Sequence, residues 1–238
     1  MLQMIRDLPK LDAPRKVRIK FSKKGALIYI SHLDLVRTMT RAIVRARIPV
    51  KYTEGFNPIP KLVFSTPLSV GCASECEYLD IKIEREMSFS EMKANLQNSL
   101  PKDIKVIDVY EPSSKFNDIL FSSYEIRIKD PSLTVESAAV VLDKFSDSSL
   151  TVIKRTKSGE REVNILPYIN SFECTGGDCE LRILTTLSAS SADYLNPEYI
   201  VNVVYDLLKL KKDVYNDCSG YTLVRLSLFL DDGKTQFR

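Results

Sequence analysis

Three arginines stand at helical spacing in the first quarter of the chain. Arg37, Arg41 and Arg45 are separated by four residues each, and at about 100° per residue they fall within one narrow stripe of a helix. Like charges at this spacing repel one another, so the stripe mildly destabilises the helix unless a counter-charge covers it. Guanidinium groups bind phosphates and carboxylates through paired hydrogen bonds. The stripe predicts a surface for a polyanion or an acidic protein, with a solvated helix face as the alternative.

Other cations and two aromatic residues surround this helix. Two lysines precede it, a third follows it, and two aromatics stand in the next loop. Basic residues interleaved with aromatics are typical of proteins that bind single-stranded or looped RNA, because phosphates pair with the cations and bases stack on the rings. The predicted nucleic-acid-binding residues are Arg37, Arg41, Arg45, Lys23, Lys24, Lys51, Tyr52 and Phe56.

His32 is the only histidine, so acid–base catalysis at neutral pH is restricted to one imidazole. It stands at the first helical position, where a structural role is the commoner explanation. The sequence has no nucleophile elbow, phosphate-binding glycine loop or zinc-protease motif. We expect no catalytic activity from the chain by itself. The alternative enzyme is a metal-independent RNA endonuclease using His32, by analogy with tandem ferredoxin-like RNA endonucleases.

The five cysteines indicate a reducing compartment, since their number is odd and the chain is long. Cys72 and Cys76 provide only the first pair of a Cys-x3-Cys-x2-Cys cluster loop, and Cys174 and Cys179 lie far along the chain. The sequence therefore predicts no metal site and no cofactor.

Length and composition indicate a globular chain of one large or two smaller domains: 238 residues, 44% hydrophobic and 27% charged. No uncharged apolar run reaches the roughly 18 residues of a membrane-spanning helix. Arg6 and Asp7 stand where a signal peptide has its apolar core. We expect a cytoplasmic protein with no membrane partner.

The charge is divided unevenly. Residues 1–66 contain fourteen Lys or Arg and four Asp or Glu, a net charge of +10, whereas the remainder carries −7. Such a division indicates a polyanion partner or a face that docks on an acidic protein.

The elements that position these residues follow one order in the first half. Alternating residues predict strands over 16–21, 62–64, 78–84 and 104–110. Capping residues predict helices that begin at Ser31 with Asp34 and at Ser88 with Glu91, ending before Pro49 and Pro101. This is the βαββαβ order. In that fold Arg18 and Lys20 neighbour Asp80 and Lys82 on an open polar sheet face, where Asp80 is expected to pair with one of the first two.

The second half predicts a similar order. Strands are expected over 123–129, 150–156, 180–187 and 221–230, with a possible hairpin turned at Ser158 and Gly159. Helices are expected over 134–145 and after Asn196 and Pro197. The predicted fold class is α+β, built from tandem ferredoxin-like (βαββαβ) units with antiparallel sheets. The predicted divisions are an N-terminal extension over 1–15, a unit with the basic helix over 16–111 and a second unit over 112–238.

Short motifs follow one another in the first third of the chain, and their residues are Ser31, His32, Asp34, Gly55, Asn57, Pro58, Glu77 and Asp80. In this order they resemble the radical-SAM-linked proteins, an uncharacterised bacterial family encoded beside or fused to a radical S-adenosylmethionine enzyme. The match is strong over residues 16–84. One departure is Ile59, where the family usually has a histidine. The resemblance implies that radical chemistry resides in a partner enzyme.

Together these observations predict an accessory or substrate-binding module for a radical S-adenosylmethionine enzyme, with RNA as the favoured substrate. The first alternative is a protein-docking module that does not bind nucleic acid. The second is RNA cleavage through His32.

Overall fold

The computed structural model describes residues 8–156, 159–190, 192–211, 220–231 and 234–238. Within them the protein is mixed α+β, with antiparallel sheets and four α-helices. The chain divides into two compact units: a first unit of residues 1–116 with Arg238, and a second unit of residues 117–237. None of the described helices is both long and apolar enough to cross a membrane.

The first unit contains four sheet strands and two helices. Its strand order is β4-β1-β3-β2, and every neighbouring pair is antiparallel. Its elements are β1 (Lys10–Lys23), α1 (His32–Arg45), β2 (Val63–Phe64), β3 (Cys72–Arg85), α2 (Phe89–Ser99) and β4 (Ile104–Tyr110). The predicted elements are confirmed, but β1 and β3 are longer than predicted. β1 includes residues 10–15, which the sequence assigned to an extension, and residues 1–7 lie outside the described part.

The core of the first unit lies between the helices and one face of the sheet. Val17, Ile19 and Phe21 alternate along β1 with their side chains fully buried. The same alternation in β3 buries Leu79, Ile81 and Ile83, and these rows pack against Met39, Ile43, Met92 and Leu96 of the helices. The helix face opposite the arginines is therefore the buried face, as predicted.

The predicted cap of α1 is confirmed, whereas its predicted end is too late. The Asp34 backbone N–H donates to Ser31 Oγ at 3.2 Å. The helix ends at Arg45, because Arg47 adopts a positive φ of 56° and turns the backbone out of the helix before Pro49. All three arginines still lie within α1.

Replacing Ser31 by alanine is expected to lower the free energy of unfolding by about 1 kcal/mol, because an N-terminal N–H of α1 loses its acceptor. Urea denaturation followed by circular dichroism measures this loss. Ser113→Ala is the control, since Ser113 is exposed and caps no helix. A Ser31→Ala midpoint equal to that of Ser113→Ala would contradict the capping role.

The second unit contains four antiparallel sheet strands, in the order β10-β5-β9-β8, and a separate hairpin of β6 and β7. The hairpin confirms the predicted pairing, although Ser158 of its turn lies outside the described residues. Residues 169–177, unassigned by the sequence, form edge strand β8. The elements are β5 (Phe121–Lys129), α3 (Val135–Phe145), β6 (Thr151–Thr156), β7 (Gly159–Asn164), β8 (Ile169–Gly177), β9 (Glu180–Ser188), α4 (Glu198–Leu207) and β10 (Gly220–Phe229).

The start of α4 differs by one residue from the prediction, because Pro197 and not Asn196 takes the N-cap position. Asn196 Oδ1 accepts a hydrogen bond from the Glu198 backbone N–H at 3.1 Å. The helix begins at Glu198, one residue later than predicted, and Pro197 immediately precedes it.

Candidate functional site

The arginine stripe (Arg37, Arg41 and Arg45) lies on the exposed side of α1. Arg37 donates to Asp34 Oδ1 at 3.1 Å, and Arg45 donates to the Ser99 carbonyl at 2.7 Å. Each of these contacts leaves other guanidinium N–H groups available, because the group has five donors. The Arg41 side chain makes no hydrogen bond or ion pair within the described residues. The stripe is therefore only partly neutralised by the protein itself.

Asp34 is the acidic residue beside the stripe. Its carboxylate accepts hydrogen bonds from the Ser31 hydroxyl at 2.7 Å and from Arg37. These two bonds, that of Ser31 first, lower the pKa of Asp34 below its ordinary value of 3.8. Its contribution to stability is consequently present above this value and is lost as the pH falls through the lowered pKa. At neutral pH Asp34 is ionised and orients Arg37.

The loop after α1, residues 51–61, is closed by backbone contacts and carries an exposed aromatic ring. Tyr52 and Pro60 form an isolated antiparallel β-bridge, and the Thr53 backbone N–H donates to the Ile59 carbonyl at 2.8 Å. Phe56 stands at the tip with its side chain fully exposed.

Within this loop, Gly55 has a φ of 131°, a conformation that favours glycine. Tyr52 is 41% exposed and Lys51 is partly exposed. The motif residues Asn57 and Pro58 are exposed in the same loop. The loop thus presents one ring fully and a second one in part.

The two lysines before α1 differ in their placement. Lys24 is about half-exposed, and its Nζ lies 2.6 Å from Glu75 Oε1, so part of its charge is neutralised. Lys23 is only 2% exposed, and its Nζ donates to the Ile28 carbonyl at 3.4 Å. Lys23 was expected to be exposed and to extend the basic surface. It is buried instead, because β1 continues to Lys23 and directs this side chain inward.

Lys23 lines a cleft beside the start of α1. The cleft is small, with a cavity volume of about 10 Å³, about the space of one water molecule. Glu77, another lining residue, is 4% exposed, whereas His32 is exposed and meets the Phe64 ring edge-to-face at 5.4 Å. The complete lining, hereafter the α1 cleft, is Lys23, Ile30, Ser31, His32, Leu35, Phe64, Thr66, Leu68 and Glu77. Three motif residues, Ser31, His32 and Glu77, are therefore brought together.

The placement of Lys23 and Glu77 in one cleft was not predicted from the sequence. Lys23 is two residues beyond Phe21 on the inward row of β1, and Glu77 is two residues before Leu79 on the inward row of β3. Extending each apolar alternation by one step would have predicted two charged side chains at the same end of the core.

Asp80 lies outside the α1 cleft, in a buried ion pair with Arg18. The Arg18 guanidinium donates to both carboxylate oxygens, at 2.7 and 2.9 Å. Lys16 Nζ also lies 3.0 Å from Asp80. The predicted pairing of Asp80 with Arg18 is confirmed.

The prediction of an open polar face around this pair is wrong. Arg18 is fully buried and Asp80 is 4% exposed. Arg18 donates to the Ser114 hydroxyl at 3.0 Å and to the Arg238 carbonyl at 3.1 Å, and its guanidinium lies 4.5 Å from the centre of the Phe116 ring. Lys20 is not an Asp80 partner but approaches the Tyr78 ring. Segments distant in sequence therefore cover this part of the sheet.

The four described cysteines form no disulfide bonds with one another: Cys72, Cys76 and Cys174 are buried, and Cys179 is exposed. In the described ranges, no three His, Cys, Asp or Glu side chains form a group that could hold a metal ion.

A family model described as an uncharacterized protein conserved in bacteria (DUF2344) matches residues 16–197. The chain belongs to this family. The match includes the arginine stripe, the loop over residues 51–61 and every residue of the α1 cleft, so the DUF2344 region contains all parts of the candidate site.

Other comparisons add no functional assignment to this DUF2344 member. A search of curated proteins finds no match. Among solved structures, the crystal structure of an unknown protein from Galdieria sulphuraria shares 11% identity, with 90% of this chain and 99% of that chain covered. Its TM-score of 0.27 is too low to support an assignment of fold.

Proposed function

We propose that this DUF2344 protein is an RNA-binding accessory module whose arginine stripe holds the phosphates of single-stranded or looped RNA. The observation that carries the proposal is the partly neutralised, exposed stripe on α1, with Arg41 free of side-chain partners within the described residues. A phosphate backbone supplies the missing counter-charges at regular intervals.

The aromatic residues of the adjacent loop favour RNA over an acidic protein. Phe56 is fully exposed at a loop tip, and burying such a ring against a base is favourable for every base type. A cationic stripe beside an exposed ring is the combination that surfaces binding single-stranded RNA use. The protein-docking alternative is an outcome of the test below.

The proposal also includes the fold of each unit and the identity of the partner. We propose that each unit is a ferredoxin-like repeat. The strand orders β4-β1-β3-β2 and β10-β5-β9-β8 support this proposal, because in each of them the first strand of the unit lies between the fourth and the third. The partner is a radical S-adenosylmethionine enzyme, a proposal that rests on the motif resemblance, and this protein presents RNA to it.

The binding test is a fluorescence-anisotropy titration of labelled single-stranded RNA over a series of salt concentrations. Affinity is expected to fall steeply as salt rises, because binding releases counterions from the phosphates. Salt-independent affinity, or no binding at all, would overturn the proposal. Absence of RNA binding together with arginine-dependent retention of an acidic partner protein would select the docking alternative.

Replacing Phe56 by alanine is expected to weaken RNA binding by about 1–3 kcal/mol, the contribution of one stacked base, without changing the salt dependence. Anisotropy measures the affinity, and thermal unfolding is expected to be unchanged since the side chain is exposed. Phe56→Tyr should retain binding, and Ile59→Ala is the matched control because Ile59 is a 59% exposed apolar residue in the same loop. Equal RNA affinities for Phe56→Ala and Ile59→Ala would show that no base stacks on Phe56.

The placement of His32 at the mouth of the α1 cleft keeps RNA cleavage as a second candidate. Incubated RNA would then yield product ladders that chelators do not prevent and that His32→Ala abolishes. Intact RNA after incubation with the wild-type protein would exclude this activity for the RNA tested.

A further inference from the structure

Two exposed apolar side chains continue the line of the arginine stripe toward the start of α1. Leu33 stands four residues before Arg37, and Tyr29 stands four residues before Leu33. Leu33 is 65% exposed and Tyr29 is 71% exposed. Side chains four residues apart share one side of a helix, so Leu33 lies on the same side of α1 as Arg37. Exposed apolar surface that polar residues border marks an interaction site.

The backbone beside Tyr29 is held in place, although the ring is exposed. Tyr29 ends a short 3-10 turn, Gly25–Tyr29. The Gly71 backbone N–H donates to the Ile28 carbonyl at 2.8 Å, and Val70, next to Gly71, adds exposed apolar surface. The Tyr29 side chain makes no hydrogen bond or ion pair within the described residues. A tyrosine on a fixed backbone loses little conformational entropy on binding, because only two side-chain torsions remain to be ordered.

The 25–29 turn and the loop over residues 51–61 lie near opposite ends of strand β3. The turn is bonded to Gly71, which immediately precedes this strand. The base of the loop is bonded near the other end, where the Lys51 backbone N–H donates to the Lys82 carbonyl at 2.7 Å. Eleven residues separate Gly71 from Lys82, a distance of roughly 35 Å along an extended strand. One exposed ring therefore precedes the start of α1, and another follows its end.

The arginines between these two rings repeat on the scale of a nucleic-acid strand. Successive arginines of the stripe are about 6 Å apart along the helix axis, close to the distance between neighbouring phosphates of an extended single strand. A strand that follows the stripe brings bases toward a ring at each end. Stacking on a side chain requires a base with an open face, which base pairs inside a duplex do not offer. The arrangement consequently suits an extended, unpaired strand.

We infer that the 25–29 turn is a second base-stacking site, in which Tyr29 takes one base with Leu33 beside it while Phe56 takes another base at the opposite end of the strand. This inference rests on the proposed RNA-binding function and narrows the substrate to extended single-stranded RNA. A duplex cannot place open bases at both ends of the stripe, so it binds through the arginines alone.

The first test is an anisotropy titration of labelled octauridine with point variants. Tyr29→Ala is expected to weaken binding by about five- to 150-fold, the contribution of one stacked base, and to leave the salt slope unchanged because no phosphate contact is lost. Tyr29→Phe should keep the affinity, since stacking needs the ring and not the hydroxyl. The control is Tyr221→Ala, which removes a 42% exposed tyrosine of the second unit and should not change the affinity. Thermal unfolding verifies that each variant is folded.

The second test locates the two ends of the bound strand. Octauridine with 4-thiouridine at its first or its last position would be crosslinked to the protein by ultraviolet light, and the crosslinked peptides identified by mass spectrometry. One end should crosslink to the 25–29 turn and the other to the loop over residues 51–61. Octauridine affinity that Tyr29→Ala leaves unchanged, or crosslinks from one end to both segments, would overturn the inference and leave the proposed function standing. If octauridine does not bind at all, both fail.

Discussion

Replacing Asp80 by alanine is expected to lower the free energy of unfolding by about 3–5 kcal/mol, because it leaves a buried guanidinium without its counter-charge. Arg18 is fully buried and donates two hydrogen bonds to this carboxylate. Its other acceptors include the hydroxyl and the carbonyl of Ser114 and a main-chain oxygen of Arg238, but Asp80 is the acceptor that takes two of its hydrogen bonds through one carboxylate. The measurement is urea denaturation followed by circular dichroism.

Two further variants separate a buried charge from a general loss of packing. Lys16→Ala removes the other cation beside Asp80, but Lys16 is 43% exposed in its side chain, so this change should cost less than about 1 kcal/mol. The double variant Arg18→Met with Asp80→Leu should recover most of the lost stability, because no buried charge remains. An Asp80→Ala cost no greater than that of Lys16→Ala would contradict the account of this ion pair.

Replacing all three arginines of the stripe by glutamine is expected to remove most of the salt dependence of RNA binding. Each phosphate contact on a single strand contributes about 0.7 to the slope of log affinity against log salt, so losing three should reduce its magnitude by about two. Arg41→Gln should have the largest single effect, since Arg37 and Arg45 each have a protein acceptor. Anisotropy titrations at several salt concentrations give the slopes.

The matched control removes the same total charge elsewhere. Lys102, Lys105 and Lys129 are exposed, and replacing them together by glutamine should change the slope far less than replacing the stripe. Equal slopes for the two triple variants would mean that binding depends on total charge, and the stripe would then have no special role.

Local periodicity was sufficient to predict most elements of both units. β4 was predicted with its observed ends, and the caps Ser31 and Ser88 were predicted because a side-chain acceptor three residues before a backbone N–H is a local feature. The end of α1 was misplaced since the left-handed turn at Arg47 carries no glycine to mark it. Residues 169–177 remained unassigned because their strand is specified by its neighbour β9.

The candidate site was predicted less completely than the fold. The stripe follows from helical spacing within one element, and its exposure agrees with that spacing. The α1 cleft is lined by side chains of β1, α1, β2 and β3, and of the segments before α1 and after β2. Its formation therefore depends on tertiary packing. The burial of Arg18 likewise depends on Ser114 and Arg238, which are remote in sequence.

RNA retained during purification tests the central claim most directly. The wild-type protein and the triple arginine variant would be purified from the native host without nuclease, and absorbance at 260 and 280 nm compared at low and high salt. Since the chain has no tryptophan, the high-salt sample fixes the ratio for protein alone. The account predicts RNA that high salt releases from the wild-type protein, that sequencing shows to be a restricted set, and that the variant lacks. A wild-type preparation free of RNA at low salt, or equal RNA on both proteins, would contradict it.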